Sequence, residues 1–248
     1  MFRSARALTA LGALLVPGLA ADADVVLLSA EKDNTLYQDA TGSTSNGLGD
    51  AFFVGRTASF GVRRGLLAFD LASAIPAGSI VTAVRLDLYV TRTVSGATPI
   101  GLHRVTRDWG EGASAAVGAG GAGTSAEPGD ATWLNTFFPS ENWATPGGDF
   151  VALASGSTSV SNFEVTWTSS PGMVADAQSW LDNPATNFGW LLKSPESVRD
   201  AKRFGSRENE DPTQRPVLTV TFTPVPEPAG FSLAALGALA LARRARSR

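Results

Sequence analysis

Cations crowd into one short stretch of this chain: Arg199, Lys202, Arg203 and Arg207 fall within nine residues, with Lys193 just upstream. Ammonium and guanidinium groups pair with carboxylates, the guanidinium bidentately, so this stretch has the residue types to hold an acidic ligand. The same stretch carries Glu208, Glu210 and Asp211, and a solvated loop balanced by its own counterions is the alternative. Nearer the N-terminus, Asp33, Asn34, Asp39 and Asp50 supply the hard oxygen ligands that calcium prefers, at a spacing that fits no recognised calcium loop. Among the six tryptophans, Trp109, Trp133, Trp167 and Trp180 are expected in the core. Trp143 lies in Pro139-Ser140-Glu141-Asn142-Trp143-Ala144-Thr145-Pro146-Gly147-Gly148, a loop composition without packing period, and its ring is expected at the surface.

Catalytic arrangements are scarce. The chain has no cysteine, which excludes thiolate zinc sites and cysteine nucleophiles. His103 is the only histidine, so a multi-histidine metal centre is excluded and any serine triad would have to pass through it. No Gly-x-Ser-x-Gly elbow, phosphate loop or His-Glu-x-x-His helix occurs. Asp108 and Glu111 have the types of a glycosidase pair, and His103 with Arg104 those of a lyase site. His103 sits between Leu102 and Val105 in a strand pattern, where a hydrogen-bonded structural histidine is more common. The expectation is a protein without catalysis and, a structural calcium aside, without a cofactor.

The elements that must position these groups are mostly strands. Val84, Leu86, Leu88 and Val90 alternate with Arg85, Asp87 and Tyr89, the pattern of one buried and one wet face. Leu67, Phe69 and Leu71 repeat that period, as do Leu218, Val220 and Phe222. Shorter runs at 25–28, 35–38, 52–54, 100–105, 131–134, 150–153, 163–167 and 188–192 suit strands as well. One helix is expected, capped by Ser170, opened by Pro171 and ended at Asn183-Pro184, with Met173, Val174, Ala177, Trp180 and Leu181 on one face. Residues 112–129, almost wholly Gly, Ala and Ser, have no period and are expected to form a flexible insertion; the segment 199–203 is expected to be a polar loop. About ten short strands and one helix predict an all-β fold, an antiparallel β-sandwich of jelly-roll type.

Both ends stand apart from this body. Residues 1–23 have Arg3 and Arg6, an apolar stretch from Ala7 to Val16, and small residues up to Ala23, the order of a signal peptide cut by signal peptidase. At the other end Pro226, Glu227 and Pro228 precede 14 mostly apolar residues, Ala229 to Ala242, and then Arg243-Arg244-Ala245-Arg246-Ser247-Arg248. That run is shorter than the roughly 20 residues a membrane-spanning helix needs. The ends hold six of the 20 basic residues and Glu227, so residues 21–224 carry 14 basic and 22 acidic groups, a net charge of −8. A general nucleic-acid surface is not expected on so acidic a body.

Residues 225–248 resemble the PEP-CTERM sorting tail of Gram-negative bacterial surface proteins. The resemblance implies recognition by an exosortase, transient membrane association, and delivery to the cell surface or extracellular matrix. Within 24–224, Arg63-Arg64-Gly65-Leu66-Leu67-Ala68-Phe69-Asp70-Leu71, Ile75-Pro76-Ala77-Gly78 and Ala83-Val84-Arg85-Leu86-Asp87-Leu88-Tyr89 resemble the core of DNRLRE domains, related to carbohydrate-binding module family 96. Asp108-Trp109-Gly110-Glu111, Asn187-Phe188-Gly189-Trp190-Leu191-Leu192 and Arg215-Pro216-Val217-Leu218 follow in the same order, although the literal Asp-Asn-Arg-Leu-Arg-Glu hexapeptide is absent. This resemblance implies a β-sandwich that binds extracellular polysaccharide without catalysis, including acidic ones such as alginate. Trp143 would then stack on a sugar ring, and Lys193, Arg199, Lys202, Arg203 and Arg207 would meet uronate carboxylates.

Overall fold

The structure, a computed structural model, describes residues 22–59 and 61–225. The sorting motif Pro226, Glu227 and Pro228, and all but the last two residues of the expected signal peptide, lie outside them. In chain order the strands are β1 (Asp24–Ser29), β2 (Lys32–Tyr37), β3 (Thr44–Ser45), β4 (Ala51–Arg56), β5 (Val62–Ala68), β6 (Ile80–Thr93), β7 (Thr98–Arg104) and β8 (Thr124–Ser125). There follow β9 (Asn135–Phe137), β10 (Glu141–Asn142), β11 (Gly156–Val160), β12 (Phe163–Trp167), the helix α1 (Pro171–Asp182), β13 (Trp190–Lys193), β14 (Lys202–Gly205) and β15 (Val217–Thr223). Among the described residues no helix is long and apolar enough to cross a membrane.

Eleven of these strands form one large antiparallel sheet that curls into two layers, giving an all-β, sandwich-like fold; β3 with β8 and β9 with β10 form two small ribbons of their own. In the first layer β6 pairs with β12 along one edge and with β15 and then β14 along the other; β1 extends β15, and β4 extends β14. The second layer runs β5, β13, β7, β11, with β2 on the far side of β5. Strand β4 joins the layers, its first four residues pairing with β14 and Gly55 and Arg56 with β5. The crossing needs a glycine. Gly55 has φ of 110°, and a Cβ there would lie 2.7 Å from Asp200 Oδ1.

Alternation places the core. Leu86, Leu88, Val90, Leu218 and Val220 of the first layer meet Leu67, Ile100, Leu102, Trp190 and Leu192 of the second. Ser170 caps α1 as expected, and Met173, Ala177, Trp180 and Leu181 close the end of this core, with Trp180 edge-on to Trp190 at 4.7 Å. Strands β5 and β13 are buried on both faces: Leu66 and Leu191, with Leu36 of β2, point outward into a second core formed with Val105, Trp109, Ala131, Trp133 and Trp143. Part of the outer face of the second layer is thereby covered by the chain between β7 and β11.

Four local expectations change. Residues 131–134 form a turn before β9, not a strand, and of 150–153 only Phe150 makes a bridge, to Val105. The segment read as a polar loop around Arg199 to Arg203 includes β14, an interior strand between β6 and β4. Residues 112–129, expected to be a free insertion, are fastened to the body. Tyr37 Oη donates to Gly120 O (2.9 Å), Ala116 N to Asn46 Oδ1 (2.7 Å) and Arg203 Nε to Ala119 O (3.2 Å), while β8 pairs with β3. A segment poor in large side chains is thus held mainly through its backbone by side chains from its neighbours.

Candidate functional site

The expected cations, Arg199 apart, are engaged by partners within the protein. Lys202 is completely buried, and its Nζ donates to Thr93 Oγ1 (2.8 Å), Ser95 Oγ (2.7 Å), Ser95 O (3.3 Å) and Gly96 O (2.7 Å). A buried ammonium must be matched by acceptors, and the turn after β6 supplies them. Arg203 is ion-paired with Asp50 (2.7 Å) and also donates to Thr91 Oγ1 (2.7 Å). Arg207 grips Glu111 through Nε and Nη2 at 2.7 and 2.6 Å, and its Nε lies 2.8 Å from Glu208. Arg199 is exposed, and Lys193 lies on β13 beside Glu196 at 3.3 Å.

Trp143 is also corrected. Its residual exposure is 5 %, its indole Nε1 donates to Thr132 O (2.9 Å), and its ring belongs to the second core. The loop around it is polar because it lies over the sheet, yet the tryptophan points down.

Of the four expected oxygen ligands, only Asp33 joins a group with metal-ligand spacing. Its carboxylate oxygens and those of Glu111 and Glu208 come within 4.8 Å of one another, the one such triad among the described residues. Asn34 instead ties β2 to Ser45, Thr35 N and Glu111 O; Asp39 caps the turn at Thr41 and Gly42; Asp50 answers Arg203. Burial holds the Asp33 carboxyl well above the usual carboxylate range, although Arg207 N donates to it at 2.7 Å. Burial and the neighbouring Glu111 raise Glu208 to about 7. Arg207 already occupies both oxygens of Glu111, so a calcium ion on this chain would compete with an internal cation for that ligand. The types read as a glycosidase pair are separated in role as well, since Asp108 pairs with Lys32 at 2.8 Å and Glu111 with Arg207.

The described residues form several concave surfaces, one of them lined by Phe53, Arg92, Lys202 and Arg203; the open part of the second layer's outer face is the one that sets an aromatic ring beside both an ammonium donor and an imidazole. Here Pro99, Gly101 and His103 of β7, Ser157 of β11 and Lys193 of β13 line a wide groove of about 460 Å³, walled by Phe150, Ala152 and Ala154. The register explains the assembly: Gly101 lies opposite Ser157 on one side and Lys193 on the other. With Ile100 and Leu102 in the core, period two turns Gly101 and His103 outward. Gly101 keeps the floor low, since a Cβ there would lie 3.0 Å from His103 Nε2 and 3.2 Å from Ala154 Cβ.

The state of His103 follows from its partners. Its pKa is pulled below the ordinary imidazole value by burial, with the Lys193 ammonium adding to the effect, so the ring is neutral at pH 7. Nδ1 lies 3.0 Å from Val151 O, which can only accept, so Nδ1 carries the proton and Nε2 the lone pair. Phe150 meets the imidazole edge-on at 5.3 Å. Across the groove Glu196, held with φ of 61°, pairs with both Lys193 and Arg64, whose Nε is 2.8 Å away, and fixes where the ammonium stands. The groove therefore offers a partly exposed aromatic ring, the Ser157 hydroxyl, an ammonium donor and an imidazole acceptor. Sequence reasoning singled out Lys193 but missed Phe150 and Ser157 and read His103 as structural; the alternation around Gly101 was the available signal. Comparison of the chain with known protein families and with curated proteins finds no match.

Proposed function

We propose that this chain is an exported, non-catalytic module that binds an extracellular polysaccharide in the groove between β7, β11 and β13. The observation that carries this proposal is the composition of the groove: an aromatic wall, the Ser157 hydroxyl, Lys193 as donor and neutral His103 as acceptor around a glycine floor. Sugar rings need this combination, an apolar face for their C–H surfaces and polar groups aimed at hydroxyls. Delivery to the cell surface or matrix is proposed from the two ends of the sequence, with signal peptidase and an exosortase as processing partners. Catalysis is left out because the groove brings no carboxylate beside His103 with which to complete an acid–base pair; Glu196 is engaged by Arg64 and Lys193. A second proposal, a surface protein without a glycan site, draws on the internal pairing of Lys202, Arg203 and Arg207 and the burial of Trp143.

Affinity electrophoresis against neutral and uronate-containing polysaccharides, alginate among them, separates the two. Retardation by one class, weakened about tenfold by Lys193→Ala (about 1.4 kcal/mol), is the expected result. Mobility unchanged by every polysaccharide would favour the second proposal, and shortened polysaccharide products would show an enzyme.

A further inference from the structure

The open edges of the two layers are treated differently. Strand β2, at the edge of the second layer, is blunted: Asp33 N donates to Glu111 Oε1 (2.9 Å) and Thr35 N to its neighbour Asn34 Oδ1 (2.6 Å), so backbone donors that another chain would use are taken. Strand β11, the opposite edge of that layer, reads Gly-Ser-Thr-Ser-Val and presents serines. Strand β1, at the edge of the first layer, has neither protection. Among the described residues it pairs only with β15, and its sequence Asp-Val-Val-Leu-Leu-Ser contains no Lys, Pro or bulge. Val25 and Leu27 stand outward, 58 % and 68 % exposed, while Val26 is only partly covered at the rim of the main core. An unbulged edge whose one charge stands at its end, with apolar side chains on both faces, is a template for another strand.

The strand that fits must itself be apolar at consecutive positions, so that one set of side chains covers Val25 and Leu27 and the other extends the core past Val26 and Leu28. Strand β1 has that composition. We infer that β1 pairs antiparallel with β1 of a second copy, about a twofold axis at Leu27, joining two first layers into one continuous sheet. In that register Leu27 faces Leu27 of the partner subunit on the outer face, and Val26 faces Leu28 of the partner subunit on the inner face. Antiparallel pairing of residues on the same face requires such a register, and a slip by one residue would set outward against inward positions. Charge favours antiparallel over parallel pairing. Asp24, the one charged residue of β1, lies at the strand end, and the antiparallel arrangement holds the two copies of it at opposite ends, whereas parallel pairing would set them side by side on a body of net charge −8.

The absence of cysteine makes the test direct, because any disulfide between single-cysteine variants joins two copies. Directly opposed residues in an antiparallel pair have Cα atoms about 4.5–5.5 Å apart, within disulfide reach. In the full chain, Leu27→Cys is expected to form a covalent dimer under mild oxidation at least tenfold faster than Leu153→Cys or Val117→Cys, which are 83 % and 94 % exposed and lie off this edge. Since Leu27 is outward and exposed, its substitution leaves the core intact, and equal melting temperatures of the three variants check this. Cross-linking of Leu27→Cys no faster than of the two controls would overturn the inference.

Discussion

Glu208 shows how a single residue of this protein couples to pH. The triad of Asp33, Glu111 and Glu208 has Arg207 as its guanidinium, and burial raises Glu208 from 4.5 to about 7. A carboxyl whose folded pKa lies above its unfolded value holds its proton more tightly in the native state. Between about pH 4.5 and 7 the native state therefore binds more protons, and stability falls as pH rises through that window, by at most about 3 kcal/mol for this group. The melting temperature of Glu208→Gln relative to the native chain is expected to rise between pH 4.5 and 8, because the variant lacks this titration. Parallel curves for the two proteins would contradict this assignment. The chemistry of individual residues was the least legible part of the sequence. Lys202, Arg203 and Arg207 have the types of a carboxylate-binding patch, but which way a cation points depends on partners 80 or more residues away, such as Thr93, Ala119 and Glu111.

At the scale of elements, legibility followed periodicity. β6, β15 and α1 occur where the alternation and the Ser170 cap placed them, because one face of each is buried and any other register would bury polar side chains. β14 escaped because Lys-Arg-Phe-Gly shows two cations and one apolar residue, while its burial depends on acceptors in the turn after β6. The stretch 131–150 escaped for a related reason: it is a covering layer without regular period, anchored by Trp109, Trp133 and Trp143 on the outer side of β5 and β13. Truncation of a buried tryptophan leaves both a cavity and, here, an unpaired Thr132 carbonyl. Trp143→Ala is expected to cost about 3–5 kcal/mol in chemical denaturation. The folded fraction should bind polysaccharide with unchanged affinity, since Trp143 is not in the groove. A loss of binding without a loss of stability would return Trp143 to the role its loop composition first implied.

At the scale of the whole molecule, the two-layer curl decides what remains available for function. The first layer turns one face to the main core and exposes the other, and the second layer is covered along part of its outer face by residues between β7 and β11, which leaves the strip at Gly101, His103, Ser157 and Lys193 open. The all-β class and most of the core were legible from alternation alone. The groove was not, because it arises from the register of three strands distant in sequence and from where the covering layer stops. Its most direct test uses the single histidine, whose imidazole resonances are unambiguous in a chain with one such residue. In NMR titration of the isotopically labelled protein with fragments of a polysaccharide that retards it, the His103 ring is expected to show a neutral, Nδ1-protonated tautomer at pH 7 and to shift saturably, with Lys193→Ala weakening the shift. Saturable binding that leaves the His103 resonances unmoved would place the glycan elsewhere and contradict the assignment of this groove.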